Sequence, residues 1–336
     1  MDEVMQILKR IIRWFLILLS IVAFPVASFA MNFNPVSVKG IAQAYGFMLG
    51  QEYSLSRITN EFPELSGGVA LVQAKFDSTF PDIKIKIEAQ LKNAVGENLF
   101  QETASNLQTK IRDNLERQQV TRENAENFLQ QVISRSKGEI ESPVFEYLLA
   151  VKYTTNPVGE FSDGHRQRYR TDGTGKSQGI NLSLQLPRSW AAKEGERPHI
   201  VKKWVSENGT GLEIILLDIR DARGYNPSKK EIEAFVRSGE VKEMVPEGAE
   251  YVASGNFTLE MRTGYWIQMA SQIERAEMKF YQNVLMYHFF FQGKAIGLMC
   301  QAGGPETEKI RVNETFKRIR PLCQQVLNSL VLPQAY

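Results

Sequence analysis

The sequence predicts an α+β protein, with a helical N-terminal domain followed by an antiparallel sheet with flanking helices. Three observations predict it. From residue 31 to about 150, apolar residues recur every three or four positions, as along one face of a helix. From 180 to 302 they alternate or form short runs punctuated by Gly, Pro and Asn, as strands and turns do. Beyond 305 the helical period returns. Helices and strands segregated along a chain, rather than alternating, belong to α+β architecture.

Composition agrees with a folded protein of about two domains. The 336 residues are 43% hydrophobic and 23% charged, and 40 Lys and Arg against 38 Asp and Glu leave a net charge of +2. So small a surplus argues against nucleic acid as a partner, because phosphate binding needs an excess of cations. Two cysteines and three histidines leave little material for a metal site.

The first 30 residues read as an export signal. Lys9, Arg10 and Arg13 precede an apolar run from Trp14 to Val26, Pro25 breaks it, and Ala27-Ser28-Phe29-Ala30 places small residues for a cut after Ala30. The run is shorter than the roughly 20 residues of a spanning helix. Left uncleaved, Trp14–Met31 would serve as a membrane anchor and the protein as a tethered scaffold; no other stretch is long and apolar enough to cross a bilayer. The expected location is periplasmic or secreted.

In the helical domain, taken as 31–155, Val36–Leu49 and Leu55–Phe62 suggest two helices, followed by one around Val69–Phe76. Ile83, Ile87, Leu91 and Val95 predict the next, although Ile83, Ile85 and Ile87 also alternate as in a strand. A helix over Asn98–Gln118 would turn Leu99, Leu107, Ile111 and Leu115 inward, and Thr121 opens another. Residues 156–178 are polar and rich in glycine, and read as a linker.

Residues 179–336 form the sheet domain. Asn181–Leu186 alternates and ends at Pro187. Asn208-Gly209 between two apolar runs signals a hairpin. A helix over Pro227–Val236, capped by Asn226, precedes four strands within 251–300, with Gln292-Gly293-Lys294 turning the last pair. Glu306–Phe316 and Leu322–Leu330 suggest two closing helices. The motif Leu184-Gln185-Leu186-Pro187-Arg188-Ser189-Trp190, with the Gln292–Lys294 turn and the closing helix, resembles PsbP-like domains over roughly 178–332. That resemblance implies a binding or assembly role on protein partners, and supplies no catalytic residue.

The candidate chemistry is sparse. Asp172-Gly173-Thr174-Gly175-Lys176-Ser177 is similar to the end of a phosphate loop, but Arg170 stands where that loop needs its first Gly, so no nucleotide is expected. His165, His199 and His288 are isolated, and no catalytic, cofactor-binding or metal-binding residue is assigned. Asp218 and Asp221 could form a carboxylate pair across Arg220. Cys300 and Cys323 could be bonded in an exported chain, or could be buried thiols. Arg166, Arg168, Arg170 and Lys176 form a basic run that could meet an acidic partner or anionic headgroups. The expected partner surface is Arg188, Trp190, Lys193, Glu194 and Arg197, on a loop from Ala191 to Pro198. Together these readings predict an exported, non-enzymatic binding or accessory module acting on an envelope protein without a cofactor. The rival is an exported hydrolase of envelope polymers.

Overall fold

A computed structural model describes residues 35–139, 144–275 and 278–336. The expected leader, 1–30, and its cut after Ala30 lie outside the described residues. The chain divides into two compact units, the first ending at Thr155 and the second beginning at Asn156.

The first unit is helical. Helix α1 (Pro35–Glu61) buries Ile41, Ala44, Tyr45, Met48, Leu55 and Ile58 along one stripe. It is one helix where two were expected, because no Gly or Pro breaks the polar stretch Gln51–Ser54 and Gln51 itself turns inward. Helix α2 (Ser66–Thr79) is followed by α3 (Ile83–Val95). In α3, Ile83, Ile87 and Leu91 are buried while Ile85 is 67% exposed, which settles the helical period over the strand period. Helix α4 (Glu97–Glu116) faces inward with Phe100 and Ala104, and Leu107 and Ile111 extend that stripe; Leu99, expected inside, is exposed one position out of phase. In α5 (Arg122–Ser136), Thr121 caps the first turn by accepting from the Asn124 N–H at 3.2 Å. Helix α6 (Phe145–Tyr153) places Phe145 edge-on to Phe80 in the core.

The second unit opens with α7 (Pro157–Ser162), where Asn156 caps the helix and Pro157 fits its first turn. Strands β1 (Arg166–Arg170) and β2 (Ser183–Pro187) form an antiparallel ribbon. The segment 156–178, expected as a linker, is therefore folded. Gly173, Gly175 and Gly179 adopt positive φ in the connection between the two strands, so these glycines serve turns rather than flexibility.

The main sheet contains β3 (Ala191–Glu194), β4 (Ile200–Val205), β5 (Glu213–Asp221), β6 (Ala249–Leu259), β7 (Arg262–Arg275), β8 (Met278–Phe291) and β9 (Lys294–Pro305), in the antiparallel order β3-β4-β5-β9-β8-β7-β6. Glu207, Asn208 and Gly209, all at positive φ, make the tight connection from β4 to β5. Helix α8 (Lys229–Arg237) packs on one face through Ile232 and Phe235. Its cap is Ser228, in a reciprocal box with Glu231, and not Asn226, whose side-chain oxygen accepts from the Gly293 N–H at 3.0 Å. Helix α9 (Lys309–Asn328) lies on the other face with α7 and the ribbon. It is one helix rather than two, with Pro321 on its exposed side.

Cys300 of β9 and Cys323 of α9, whose pairing the sequence left open, form a disulfide with Cα atoms 6.2 Å apart and both side chains fully buried. It ties the closing helix to a central strand across 23 residues of sequence. Breaking it releases unfolded-chain entropy, so reduction should lower the unfolding free energy of this unit by about 3 kcal/mol. Of the four tryptophans, the three within the described residues, Trp190, Trp204 and Trp266, all lie in this unit, so indole fluorescence in urea with and without reductant reads the change; an unchanged midpoint would contradict it.

Candidate interaction surface

The corner between ribbon and sheet is built from contacts that are distant in sequence. Glu160 of α7 is 1% exposed, and its carboxylate accepts from the Ser189 N–H at 2.7 Å and the Ser189 hydroxyl at 2.6 Å. Gln167 of β1 donates its amide to the Pro187 carbonyl at 2.8 Å and to the Trp190 carbonyl at 2.5 Å. The Pro187–Trp190 motif is thus gripped from both sides by the segment expected to be a linker. Sequence reasoning missed both residues, because neither has a local signal.

The expected partner surface does not assemble as one patch. Trp190 is 3% exposed and belongs to the core, since the corner turns it inward. Ala191–Glu194 is the edge strand β3, not a loop. Lys193 donates to the Gly209 carbonyl at 2.6 Å, and burial with Lys203 nearby pushes its ammonium below the usual lysine range. Glu194 pairs with Lys202. Arg188 and Arg197 are half-buried. Only Lys193 and Glu194 of the five are well exposed, and both are engaged locally.

One row of titratable groups of the sheet lies inside. Asp218 of β5, Gly297 of β9, His288 of β8 and Tyr265 of β7 are cross-strand neighbours in a single row across the sheet. Asp218 and His288 are 5% and 2% exposed. Gly297 is required between them: a side chain there would collide with the Asp218 carboxylate and press on the His288 ring. Burial pushes the Asp218 carboxyl up to about 6, opposed by the Arg220 guanidinium 3.8 Å away and by the Gly297 backbone. Burial and the repulsion of Arg220 push His288 down to about 3. Asp221, three residues further on, lies on the opposite face, exposed and bonded to Lys294 at 3.1 Å, so the carboxylate pair with Asp218 does not form. The His165 and His199 carbonyls hold the backbone N–H groups of Arg188 and Ile219. Among the described residues no group of three His, Cys, Asp or Glu converges as a metal set, and no helix is long and apolar enough to cross a membrane.

The outer face of the ribbon is different. Arg166, Arg168 and Arg170 alternate with the half-buried Gln167 and Tyr169, and all three are exposed. Tyr169 packs edge-on to the buried Trp204, ring centroids 5.1 Å apart, which fixes the face that turns inward.

No protein-family model matches the chain, and no curated protein matches it. Among solved structures it is similar to the cyanobacterial PsbP (CyanoP) of Synechocystis sp. PCC 6803, at 14% identity and a TM-score of 0.29, over 50% of this chain and 92% of that one. It is also similar to LpqN of Mycobacterium tuberculosis, which is involved in cell envelope biogenesis, at 14% identity and a TM-score of 0.29, over 53% and 96% of the two chains. A third is the Ran-binding protein Mog1p of Saccharomyces cerevisiae, at 9% identity and a TM-score of 0.33, over 50% and 95%. No residue role is transferred from these structures.

The buried row makes a pH prediction. As pH falls from about 6 toward 4, folded Asp218 takes up a proton before the unfolded carboxyl does, which adds stability. Over the same range the unfolded imidazole of His288 protonates while the folded one stays neutral, which removes stability. Relative to the native protein, His288→Gln should therefore gain stability between pH 6 and 4 and Asp218→Asn should lose it, each by at most about 1.4 kcal/mol per pH unit. Urea unfolding across that range measures both slopes, and parallel profiles for the two variants would contradict the assignment.

Proposed function

We propose that the protein is an exported, non-catalytic binding or accessory module of the cell envelope, acting on a protein partner and needing no cofactor. The observation that carries this reading is the burial of Asp218 and His288. They are the acid and the base that strand pairing brings into one row of the sheet, and both are buried away from a substrate. A hydrolase needs such groups within reach of the bond it breaks. The charged groups that do face solvent include the arginine row of β1, a feature suited to recognition.

Export is supported by two features. The N-terminal 30 residues have the order of a cleavable leader. The fully buried Cys300–Cys323 bond belongs to an oxidising compartment.

The test is chemical cross-linking in intact envelopes, followed by mass spectrometry. The expected result is a chain beginning at Met31, cross-linked to a reproducible protein partner that is displaced by excess unlabelled protein. Hydrolysis of envelope polymers by the purified protein, abolished by Asp218→Asn, would overturn the reading.

A further inference from the structure

The β1–β2 ribbon has one occupied edge and one open edge. In an antiparallel pair, residues alternate between those that exchange backbone bonds with the partner strand and those whose backbone groups point away. Thr171 N–H donates to the Leu182 carbonyl at 2.9 Å, and Arg188 N–H to the His165 carbonyl at 3.0 Å. These bonds fix the exchanging pairs as the odd-numbered residues of β1. Ser183 and Gln185 of β2 accordingly face outward: Ser183 exchanges bonds with Val331 at 2.8 and 2.9 Å, and the Gln185 N–H donates to the Ser329 hydroxyl at 2.9 Å. The far edge of β2 is therefore engaged. By the same alternation, the backbone groups of Arg166, Arg168 and Arg170 point to the far edge of β1. The Arg166 N–H is bonded in a turn to the Gly164 carbonyl at 2.9 Å. No strand of the described residues pairs with this edge.

The same three residues also carry the charge. Their side chains stand on the outer face at a repeat of roughly 6.8 Å, twice the rise of an extended strand. Their cross-strand neighbours on that face, Gln185 and Ser183, are neutral, and Arg166 donates to the side-chain amide oxygen of Gln185 at 3.1 Å. Arg168 and Arg170 have no acidic partner among the described residues. Three cations on an open edge repel a second copy of the same edge, which protects it from self-association. A strand of opposite charge is attracted instead, and an extended acidic chain repeats its side chains at the same interval.

We propose that the open edge of β1 binds an acidic segment of a protein partner in extended conformation. The backbone of that segment bonds to Arg168 and Arg170, and its carboxylates, at every second residue, face Arg166, Arg168 and Arg170. This deepens the reading of the protein as a binding module and rests on it. Strand addition supplies affinity through the backbone, and arginine–carboxylate pairs supply the sequence preference.

The test is fluorescence anisotropy with the protein purified from the envelope. The probe is a labelled peptide of about ten residues alternating Glu and Thr, long enough to span the five-residue strand. The controls are a peptide of the same composition with its glutamates in one block, the alternating peptide N-methylated at alternate backbone positions, and phosphatidylglycerol vesicles. The alternating peptide should bind about tenfold or more tightly than the block and N-methylated peptides. Arg168→Glu with Arg170→Glu should abolish binding, and Arg168→Gln with Arg170→Gln should weaken it about tenfold. Both positions are exposed, and circular dichroism verifies that both variants fold. Equal binding of the block peptide reduces the site to bulk charge and overturns the proposal. So does binding of vesicles without binding of the alternating peptide, or no binding of the peptide at all. A cross-linked envelope partner recovered alongside a failed peptide would sink this proposal while leaving the wider reading standing.

Discussion

The carboxylate of Glu160, closed off from solvent and holding both the N–H and the hydroxyl of Ser189, is the contact on which the arrangement of the second unit turns. It joins α7 to the corner where the chain leaves the ribbon and enters the sheet. Gln167 grips the same corner from β1. Between them they leave β1 one register. A slip by one residue would turn Arg168 toward the core and Tyr169 to solvent, because side chains alternate along a strand. The outward row of arginines is thus a consequence of a buried acid on another element.

The sheet applies a similar economy of polar groups. Its central strands β8 and β9 are buried almost throughout, and His288 of β8 and Asp218 of β5 are accommodated where Gly297 of β9 leaves room between them. Interior polar groups tune stability against pH, while β9 is tied to α9 through Cys300 and Cys323. Solvent meets the arginine row, whose register the corner sets. Chemistry inside and charge outside are two results of the same strand alternation.

Local pattern made much of this legible from sequence. The alternation of Asn181–Leu186 marks β2, Asn208-Gly209 marks the β4–β5 connection, and the four-residue spacing of Ile83, Ile87 and Leu91 marks α3. What stayed hidden depends on partners distant in the chain. Gly173 and Gly175 gave 156–178 the look of a linker, though they shape turns. Glu160 and Gln167 carry no periodic signal, since their partners sit 29 and 20 to 23 residues away. Trp190 looks like a surface aromatic until the corner turns it inward. The Asp218–His288 row requires the register of strands about 70 residues apart. Arg166, Arg168 and Arg170 were visible as a basic run, but their shared face and open edge follow only from the pairing of β1 with β2.

Hydrogen exchange read by mass spectrometry on Glu160→Ala tests the central claim most directly. Leaving the Ser189 N–H and hydroxyl without their acceptor costs about 1–3 kcal/mol, concentrated at the corner. The inward-bonded amides of Gln167 and Tyr169 in β1 and of Leu184 and Leu186 in β2 should lose protection by about tenfold or more, while those of β7, β8 and β9 keep theirs. Undiminished protection of the ribbon amides, or an equal loss throughout the sheet, would contradict the account.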